Sequence, residues 1–381
     1  KSGDFDYFDD KFNDPENEFN AGINSILMDH SGLLWLSSYS YMFKEAPKRR
    51  QIAHYRHNAK NPTSLHNDTI TEFFEDSRQR LWIGTTNGIA LLKTDTAFEQ
   101  KFSGPGNNSE NSIGLIFRIF EDSGGQIWVA TLDNGIYKWK EDGGFFIEIP
   151  TGPDIDLIPD IEEDASGNIW FSAWGKGIYV LDPLTDMVIK KFEAENQDTH
   201  GLSSTSIIEM FRDSEGQMWL GDRQNEQGLF RYLPDTETFK HYKVIDGDTM
   251  TIGSNEIIYL AEDDRNRMWV GTGGGLNLYN READHFERNT SIYAIPSTWS
   301  YSPATKGKMW ISTYGGDGLA LVGPGVNDVE IIGENKGLLH NDITATDFGR
   351  LPIDDAGKLW LPTDRGLSVY DPSKGSFTNY F

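Results

Sequence analysis

Eight tryptophans recur along the chain at intervals of 41 to 50 residues, and this spacing constrains the fold more than any other feature. Each of them stands between two apolar residues, a run that is typical of a strand covered on both faces. Self-similarity with this period is characteristic of architectures built from repeated small sheets. The spacing predicts one structural unit around each anchor: Trp35, Trp82, Trp128, Trp170, Trp219, Trp269, Trp310 and Trp360.

Each unit carries the chemistry of short strands joined by tight turns. An aspartate stands six residues before the tryptophan in seven units, and Ala304 takes its place in the seventh unit. Three residues before the tryptophan stands a glycine, except for Gln79 and Asn266 in two units. Glycine and asparagine accept a left-handed φ, and aspartate caps backbone N–H groups. The pattern therefore predicts a hairpin turn directly before each tryptophan strand.

Four short strands fit into each unit, and helical periodicity is essentially absent. Four antiparallel strands per 40–50 residues, repeated around an axis, predict an all-β fold, a β-propeller of four-stranded antiparallel blades. Eight motifs favour eight blades; seven blades are the alternative, but they would leave strand edges exposed. Neighbouring blades bury each other's faces, so residues 1–381 are expected to form a single β-propeller domain. The N-terminal stretch 5–8 resembles a fourth strand that either closes the ring beside the last blade or is surplus.

The composition excludes several classes of partner. The 34 basic and 59 acidic residues give a net charge of −25, which disfavours nucleic acids and acidic lipid surfaces. The longest apolar runs are far too short to span a membrane, and no signal peptide is present, so no membrane contact by this chain is expected. With no cysteine, no calcium-loop pattern and no nucleotide-binding glycine motif, neither a metal nor a cofactor is expected.

The repeats resemble those of a known family. Leu81-Trp82-Ile83-Gly84-Thr85 followed by Asn87-Gly88-Ile89, and likewise Met268-Trp269-Val270-Gly271-Thr272, are similar to the two-component regulator propeller repeat. The resemblance implies a periplasmic or secreted ligand-sensing region of hybrid two-component sensors, for which glycan fragments are frequent ligands. It also implies further sensor domains of the same protein as partners, and no catalytic residues. The first unit departs from the pattern at Tyr39–Phe43, and the seventh lacks the aspartate.

Three classes of function remain open at this stage. The leading hypothesis is an extracytoplasmic sensing propeller that binds an oligosaccharide or glycan fragment without turning it over. The alternatives are a polysaccharide lyase or glycosidase on the same scaffold, and a scaffold for protein partners. His66, His200 and His340 fall in the loops that link one blade to the next, on the face where propellers bind ligands. They are candidate ligand contacts, and a lyase would use histidines of this kind with tyrosine and arginine.

The fourth residue after each tryptophan is the main candidate for ligand binding. The residue before it is small or polar in every unit, whereas this position varies and collects large aromatic and charged residues. Aromatic faces stack on sugars, and charged planar groups donate or accept hydrogen bonds. The sequence therefore predicts a glycan cup lined by these side chains: Tyr39, Trp174, Arg223, Tyr314 and Asp364.

A second variable position lies ten residues before each tryptophan, within the first strand of each unit. It is ionisable or hydroxylic in all eight units, although the strand around it is apolar. A ring of such side chains can pair or stay hydrated around a central channel. The sequence predicts that this position lines the channel, with Ser25, Tyr259 and Ser300 beside the charged members Glu72, Arg118, Asp160, Glu209 and Arg350.

Overall fold

The computed structural model describes residues 6–7, 25–37, 42–46, 51–58, 60–65, 67–94, 97–101, 112–152, 155, 157–193, 201–224, 226–289, 297–314, 318–343, 351–354, 356–363 and 365–380. The described strands form eight antiparallel sheets in chain order, and each sheet contains one tryptophan of the repeat. The predicted eight-bladed, all-β propeller is confirmed. One 3-10 turn, Glu334–Lys336, is the helical element within these ranges.

Strands are numbered in chain order, and each blade runs from an inner first strand to an outer last strand, except that β1 lies at the outer edge of blade 1. Blade 1 contains β1 (Asp6–Tyr7), β2 (Ser25–Met28), β3 (Leu34–Ser37), β4 (Met42–Ala46) and β5 (Gln51–Tyr55). Blade 2 contains β6 (Ile70–Glu75), β7 (Leu81–Thr85), β8 (Gly88–Thr94) and β9 (Ala97–Lys101). Blade 3 contains β10 (Ile116–Glu121), β11 (Ile127–Thr131), β12 (Ile136–Lys140) and β13 (Phe145–Glu148). Blade 4 contains β14 (Ile161–Glu163), β15 (Ile169–Ala173), β16 (Gly177–Asp182) and β17 (Met187–Glu193).

The second half of the ring repeats this order. Blade 5 contains β18 (Ile207–Arg212), β19 (Met218–Asp222), β20 (Leu229–Leu233) and β21 (Thr238–Tyr242). Blade 6 contains β22 (Ile257–Glu262), β23 (Met268–Thr272), β24 (Gly275–Asn280) and β25 (His285–Arg288). Blade 7 contains β26 (Ser297–Pro303), β27 (Met309–Tyr314), β28 (Leu319–Val322) and β29 (Val329–Ile332). Blade 8 contains β30 (Leu359–Thr363), β31 (Gly366–Asp371) and β32 (Ser376–Tyr380), and isolated bridges from Ile343 and Ile353 mark the inner side of β30.

The core consists of eight apolar clusters, one at each boundary between neighbouring blades. Each cluster joins the tryptophan of one blade to apolar residues of the next blade. The ring closes in the same way, because Trp360 of blade 8 packs with Ile26, Leu34 and Leu36 of blade 1. Side-chain packing between blade 8 and blade 1 therefore closes the ring.

The N-terminal strand lies elsewhere than beside the last blade. The pair Asp6–Tyr7 adds to the outer edge of blade 1, where Asp6 is opposite Ile52 and Tyr7 is opposite Gln51. Blade 8 has its own outer strand, Ser376–Tyr380. Of the two expected arrangements, the surplus strand is the one observed, and blade 1 is a five-stranded sheet.

The predicted aspartate cap is confirmed in every unit that has an aspartate. Asp76 is representative, since its Oδ1 accepts the N–H groups of Arg78 at 3.0 Å and Arg80 at 2.9 Å. Its Oδ2 accepts the indole N–H of Trp82 at 2.8 Å, a bond that recurs in seven blades. One carboxylate thus fixes both the turn and the rotamer of the core tryptophan. The residue at the left-handed position has a positive φ in all eight turns.

A second repeated contact ties neighbouring turns together. The residue after the aspartate donates its backbone N–H and its side chain to the glutamate that precedes the aspartate of the next blade. Ser77 bonds Glu121 at 2.6 Å through both groups, and Ser123 bonds Glu163 at 2.8 and 2.6 Å. Ser214 with Glu262, and His30 with Glu75, make the same contact. These turns form one face of the ring, called the Asp face below.

Candidate functional site

The opposite face of the ring, called the loop face below, carries the turns between second and third strands and the links between blades. One backbone hydrogen bond repeats on this face and is called a latch here. A glycine in the turn of one blade donates its N–H to a carbonyl in the link before the next blade. Gly88 donates to Gly114 at 2.6 Å, Gly175 to Thr205 at 2.8 Å, and Gly228 to Asn255 at 3.0 Å. Apart from these latches, the loops differ in sequence from blade to blade. The backbone hydrogen bonds of this face are therefore repeated, whereas its side chains vary.

Trp174 and Arg223 occupy equivalent positions on neighbouring blades of this face. Trp174 follows β15, is half-buried, and donates its backbone N–H to the carbonyl of Leu157 at 3.0 Å. Arg223 follows β19, and its Nε lies 3.9 Å from Oε1 of Glu256 in the link before blade 6. The latch from Gly175 to Thr205 joins the turn of Trp174 to the link before blade 5, and Ser204 in that link donates its hydroxyl to Asp222, the neighbour of Arg223. A flat aromatic side chain and a guanidinium thus stand on adjacent loops.

Burial and two nearby carboxylates shift the pKa of Arg223 in opposite directions. Its side chain is 18% exposed, and this burial lowers the pKa of the guanidinium from its ordinary value. The charges of Glu256 and Glu209 counteract the lowering of the pKa. An arginine remains charged under such conditions, so Arg223 is a partly desolvated cation on a strongly acidic protein. Such a group favours an anionic or strongly hydrogen-bonding ligand.

Blade 5 carries a carboxylate at the residue before Arg223. In blades 2, 3, 6 and 8 this residue is a threonine whose hydroxyl donates to a turn carbonyl at 2.8 or 2.9 Å. Asp222 replaces it in blade 5, and an ionised carboxylate only accepts hydrogen bonds. Asp222 is fully buried, accepts the hydroxyl of Ser204, and lies 3.3 Å from the N–H of Gln227. This exchange supports the longer turn that presents Arg223.

The inner strands bring several of the predicted channel residues into contact with the next blade. Glu72 accepts the N–H of Ile119, Asp160 accepts that of Met210 at 2.6 Å, and Glu209 accepts that of Leu260 at 3.4 Å. Each donor stands one residue after the equivalent position in the following blade. These carboxylates therefore connect the inner strands of neighbouring blades through hydrogen bonds. That they line a central channel stays a prediction.

Arg118 occupies the same position in blade 3 and pairs with a carboxylate instead. Its Nε lies 3.2 Å from Oδ1 of Asp160, an acid that is 2% exposed. Burial acts to lower the pKa of Arg118, but the charges of Asp160, Glu72 and Glu209 outweigh it and raise the pKa. Burial in turn raises the pKa of Asp160 against the opposing effect of Arg118. The inner strands described here thus carry more carboxylates at these positions than cations to balance them.

Glu209 and a further acid on β14, Glu162, take up protons near neutral pH. Burial, followed by the charge of Asp160, raises the pKa of Glu209 to about 8. Burial raises the pKa of Glu162 to about 7, with Asp160 adding to the effect. Both changes follow from placing like charges in a region of low polarity. The centre of blades 4 and 5 therefore changes charge between mildly acidic and mildly alkaline pH.

The remaining predicted ligand residues are distributed unevenly over the described ranges. His340 lies in the link before blade 8, where its Nδ1 accepts the N–H of Asp342 at 3.2 Å. Blade 8 is opposite blade 4 in an eight-membered ring, so His340 is not grouped with Trp174. Tyr314 is the last residue of β27, and its side chain is not among those that the structure describes. The others fall outside the described residues: Tyr39, His66, His200, Asp364 and, at the axis, Arg350.

Two residues of the site were missed in the sequence. Glu162 stands two residues after Asp160, and alternation along a strand places both on one face, so the spacing could have revealed it. Glu256 has no repeating position that would single it out, and its contact with Arg223 depends on the packing of blade 6. Within the described ranges, no three His, Asp or Glu side chains converge in an arrangement that could hold a metal ion. No described helix is long and apolar enough to cross a membrane.

Two repeats of the chain match a known family model. Residues 64–87 and 251–274 match the model described as two component regulator propeller, which confirms the resemblance predicted from the sequence. Over 85 residues the chain is 31% identical to histidine kinase P4 of Formosa agariphila. That alignment covers 21% of this chain and 6% of the kinase, so the chain corresponds to a small part of that protein.

Solved structures to which the chain is similar include sensor and enzyme chains. The extracellular domain of a hybrid two component system from B. thetaiotaomicron is 17% identical with a TM-score of 0.39, covering 97% of this chain and 56% of that one. Virginiamycin B lyase from Staphylococcus aureus is 11% identical with a TM-score of 0.50, covering 92% of this chain and 94% of that one. At such identities the likeness to the lyase supports the propeller fold and carries nothing about chemistry. The chain spans little more than half of the sensor domain.

Proposed function

We propose that this chain, which carries two-component regulator propeller repeats, is an extracytoplasmic sensing propeller that binds a glycan fragment on its loop face. The family model and the extracellular domain among the similar structures support the sensing role and the location, periplasmic or secreted. One observation carries the ligand assignment. Trp174 and Arg223 stand at the same variable position of adjacent blades, and the link before blade 5 bonds both the turn of Trp174 and Asp222, the neighbour of Arg223.

The chemistry of the two side chains suits a sugar with a polar or anionic substituent. A tryptophan face packs against the C–H groups of a sugar ring, and a guanidinium donates up to five hydrogen bonds in a planar fork. Half-burial of Trp174 keeps one part of the ring fixed in the protein and leaves another part accessible. Binding of this kind holds a ligand without chemical change, which is what sensing requires.

Calorimetry with a panel of neutral and acidic oligosaccharides tests this proposal. We expect binding by the wild type, a loss of at least about tenfold in affinity for Trp174→Ala, corresponding to about 1.4 kcal/mol, and partial retention for Trp174→Phe. Arg223→Ala should weaken binding of acidic members more than of neutral members. Arg78→Ala on the Asp face is the matched control, since Arg78 is an exposed arginine that pairs with Glu141. It should bind like the wild type.

The same samples distinguish the alternative functions. Chromatography of the oligosaccharides after incubation would reveal cleavage, and turnover that depends on loop-face residues would favour the lyase or glycosidase hypothesis. Unchanged affinity of both Trp174→Ala and Arg223→Ala for every ligand found would place the site elsewhere on the propeller. Absence of binding across the panel, with protein partners captured instead, would favour the scaffold hypothesis.

A further inference from the structure

The variable position of the loop face holds a glycine in blade 6. Trp174 occupies this position in blade 4 and Arg223 in blade 5, and Gly273 is its equivalent in blade 6. The backbone of this glycine is held in place, because its N–H donates to the carbonyl of Glu256 in the link before blade 6 at 2.9 Å. Blade 6 therefore presents no side chain of its own at the position where blades 4 and 5 present large ones.

A carboxylate from the link stands in the place of the missing side chain. A Cβ built on Gly273 would lie 2.4 Å from Oε2 of Glu256, 3.3 Å from its Cδ and 3.4 Å from its Cβ. These distances place the side chain of Glu256 directly over the glycine, in space that any other residue at this position would enter. Gly273 is not among the glycines with a positive φ, so what it provides is space and not an unusual backbone conformation.

The same carboxylate faces Arg223 across the boundary between blades 5 and 6. Oε1 of Glu256 lies 3.9 Å from Nε of Arg223, a distance that is too long for a hydrogen bond. The side chain of Glu256 is 44% exposed, and no donor in the described part of the chain forms a hydrogen bond with its carboxylate. Both carboxylate oxygens are therefore able to accept hydrogen bonds from a molecule that binds on the loop face.

We propose that Glu256 is a ligand contact of the loop face whose carboxylate accepts hydroxyl groups, so that the site selects a neutral sugar with free hydroxyls on adjacent carbons over its uronate counterpart. The inference rests on the loop-face site proposed above and narrows its class of ligand. A guanidinium only donates hydrogen bonds, and a carboxylate only accepts them. Two neighbouring hydroxyl groups satisfy both, since one accepts from Arg223 and the other donates to Glu256.

Charge explains why an acidic sugar is disfavoured at this place. The carboxylate of a uronate is attracted by Arg223 but also approaches the carboxylate of Glu256, and like charges at short distance repel each other. It has no hydrogen to donate, so Glu256 would lose hydrating water without gaining a partner. A hydroxyl group meets neither cost. The net charge of −25 of the chain acts against an anionic ligand in the same direction.

Calorimetry with matched trisaccharides tests this selectivity on the full chain. The probes are trisaccharides of glucose, galactose and mannose, each paired with the trisaccharide of the corresponding uronic acid, which differs from it only at C6. We expect the wild type to bind at least one neutral trisaccharide about tenfold more tightly than its uronate partner. The ratio of the two affinities is the quantity that the variants should change.

Two variants separate the charge of Glu256 from its position. Glu256→Gln keeps the size of the side chain but removes its charge, so it should weaken binding of the neutral trisaccharide at least about fivefold and strengthen binding of the uronate. Gly273→Ala keeps the charge and displaces the carboxylate, so it should weaken neutral binding without improving uronate binding. The Tm of each variant checks that it is folded.

A matched control comes from the opposite face of the ring. Glu215 on the Asp face is a 62% exposed carboxylate that lies 3.3 Å from Arg281, so Glu215→Gln removes the same kind of charge beside an arginine. This variant should bind both members of each pair like the wild type. A changed ratio in Glu215→Gln would show that overall charge, and not the place of Glu256, sets the preference, and would overturn the inference.

The remaining outcomes distinguish this inference from the proposed function. Equal losses for both members of a pair in Glu256→Gln, unchanged affinities in that variant, or a wild type that prefers uronates would each overturn the inference while the loop-face site stands. No binding of any trisaccharide by the wild type also overturns it, and the wider oligosaccharide panel then decides the proposed function. A lost preference in Glu256→Gln with full binding by Trp174→Ala would overturn the role of the tryptophan and leave this inference standing.

Discussion

The two faces of this propeller are built from the same eight repeats but follow different rules. On the Asp face the same contacts recur: aspartate to backbone and to tryptophan in seven blades, and serine or histidine to the next glutamate in four. On the loop face the backbone latches repeat, whereas the side chains above them range from Trp174 to Arg223 to Gly273. Repeated contacts indicate a structural requirement shared by all blades. Variation on a uniform base indicates that one face is free to acquire specificity.

The largest expected loss of folding stability comes from removing a core tryptophan that is bonded to a turn of the Asp face. Trp219 is fully buried, accepts Arg231 over its ring at 5.5 Å, and donates to Asp213 at 2.8 Å. Trp219→Ala should lower the free energy of unfolding by about 3–5 kcal/mol in urea titrations. Trp174→Ala on the loop face is the control and should cost less than half as much. Equal losses for both would contradict the division between the faces.

A smaller loss of folding stability is expected when the aspartate of one turn is removed. Asp263 is buried and accepts the N–H groups of Arg265 at 2.9 Å and Arg267 at 3.1 Å, besides the indole of Trp269 at 2.9 Å. Asp263→Ala leaves these donors without their acceptor and should cost about 2–3 kcal/mol. The measurement is again urea unfolding. Asp264→Ala in the adjacent position, where the carboxylate accepts bonds from blade 7, should cost clearly less.

Blade 7 allows the same comparison in the opposite direction. Ala304 stands where the other blades have aspartate, yet its N–H bonds the carbonyl of Lys308 at 2.8 Å as in the other turns. Ala304→Asp supplies the missing acceptor for the turn and for Trp310, and should raise the free energy of unfolding by about 1 kcal/mol. Ala304→Asn, which is a weaker acceptor, should gain less. A destabilised Ala304→Asp variant would mean that this turn differs from the others in more than one residue.

The smallest expected effect concerns the contact that uses His30 instead of serine. The hydrogen bond to Glu75 raises the pKa of His30, so the protonated form stabilises the folded protein. This contribution is complete below the ordinary histidine pKa and is lost as the pH rises through the raised value in the folded protein. His30→Ser should therefore reduce the fall in Tm between pH 6 and pH 8 by a small amount. Ser77→Ala serves as a control, since it removes a clasp of the same kind without a titrating group.

Agreement between sequence and structure is closest where the partners are local. The cap of Asp76 involves residues two, four and six positions along the chain, so spacing reveals it directly. The glutamate that accepts hydrogen bonds from the serine of the preceding blade, such as Glu121 from Ser77, also repeats in the sequence. Its partner, however, stands one repeat away. The sequence pattern identified the acidic inner positions without indicating that Asp160 and Glu209 bond the backbone of the following blade.

The fold and the number of blades were determined by the sequence itself, because the tryptophan, the aspartate cap and the left-handed turn residue recur within each unit and act over a few residues. Tertiary structure alone decided how the ring closes and which charges share the axis. Closure depends on apolar contacts between Trp360 and residues at the other end of the chain. The pairing of Arg223 with Glu256, and the raised pKa of Glu209, arise from burial and charges contributed by several blades. Such long-range electrostatics depend on distances that only the assembled ring defines.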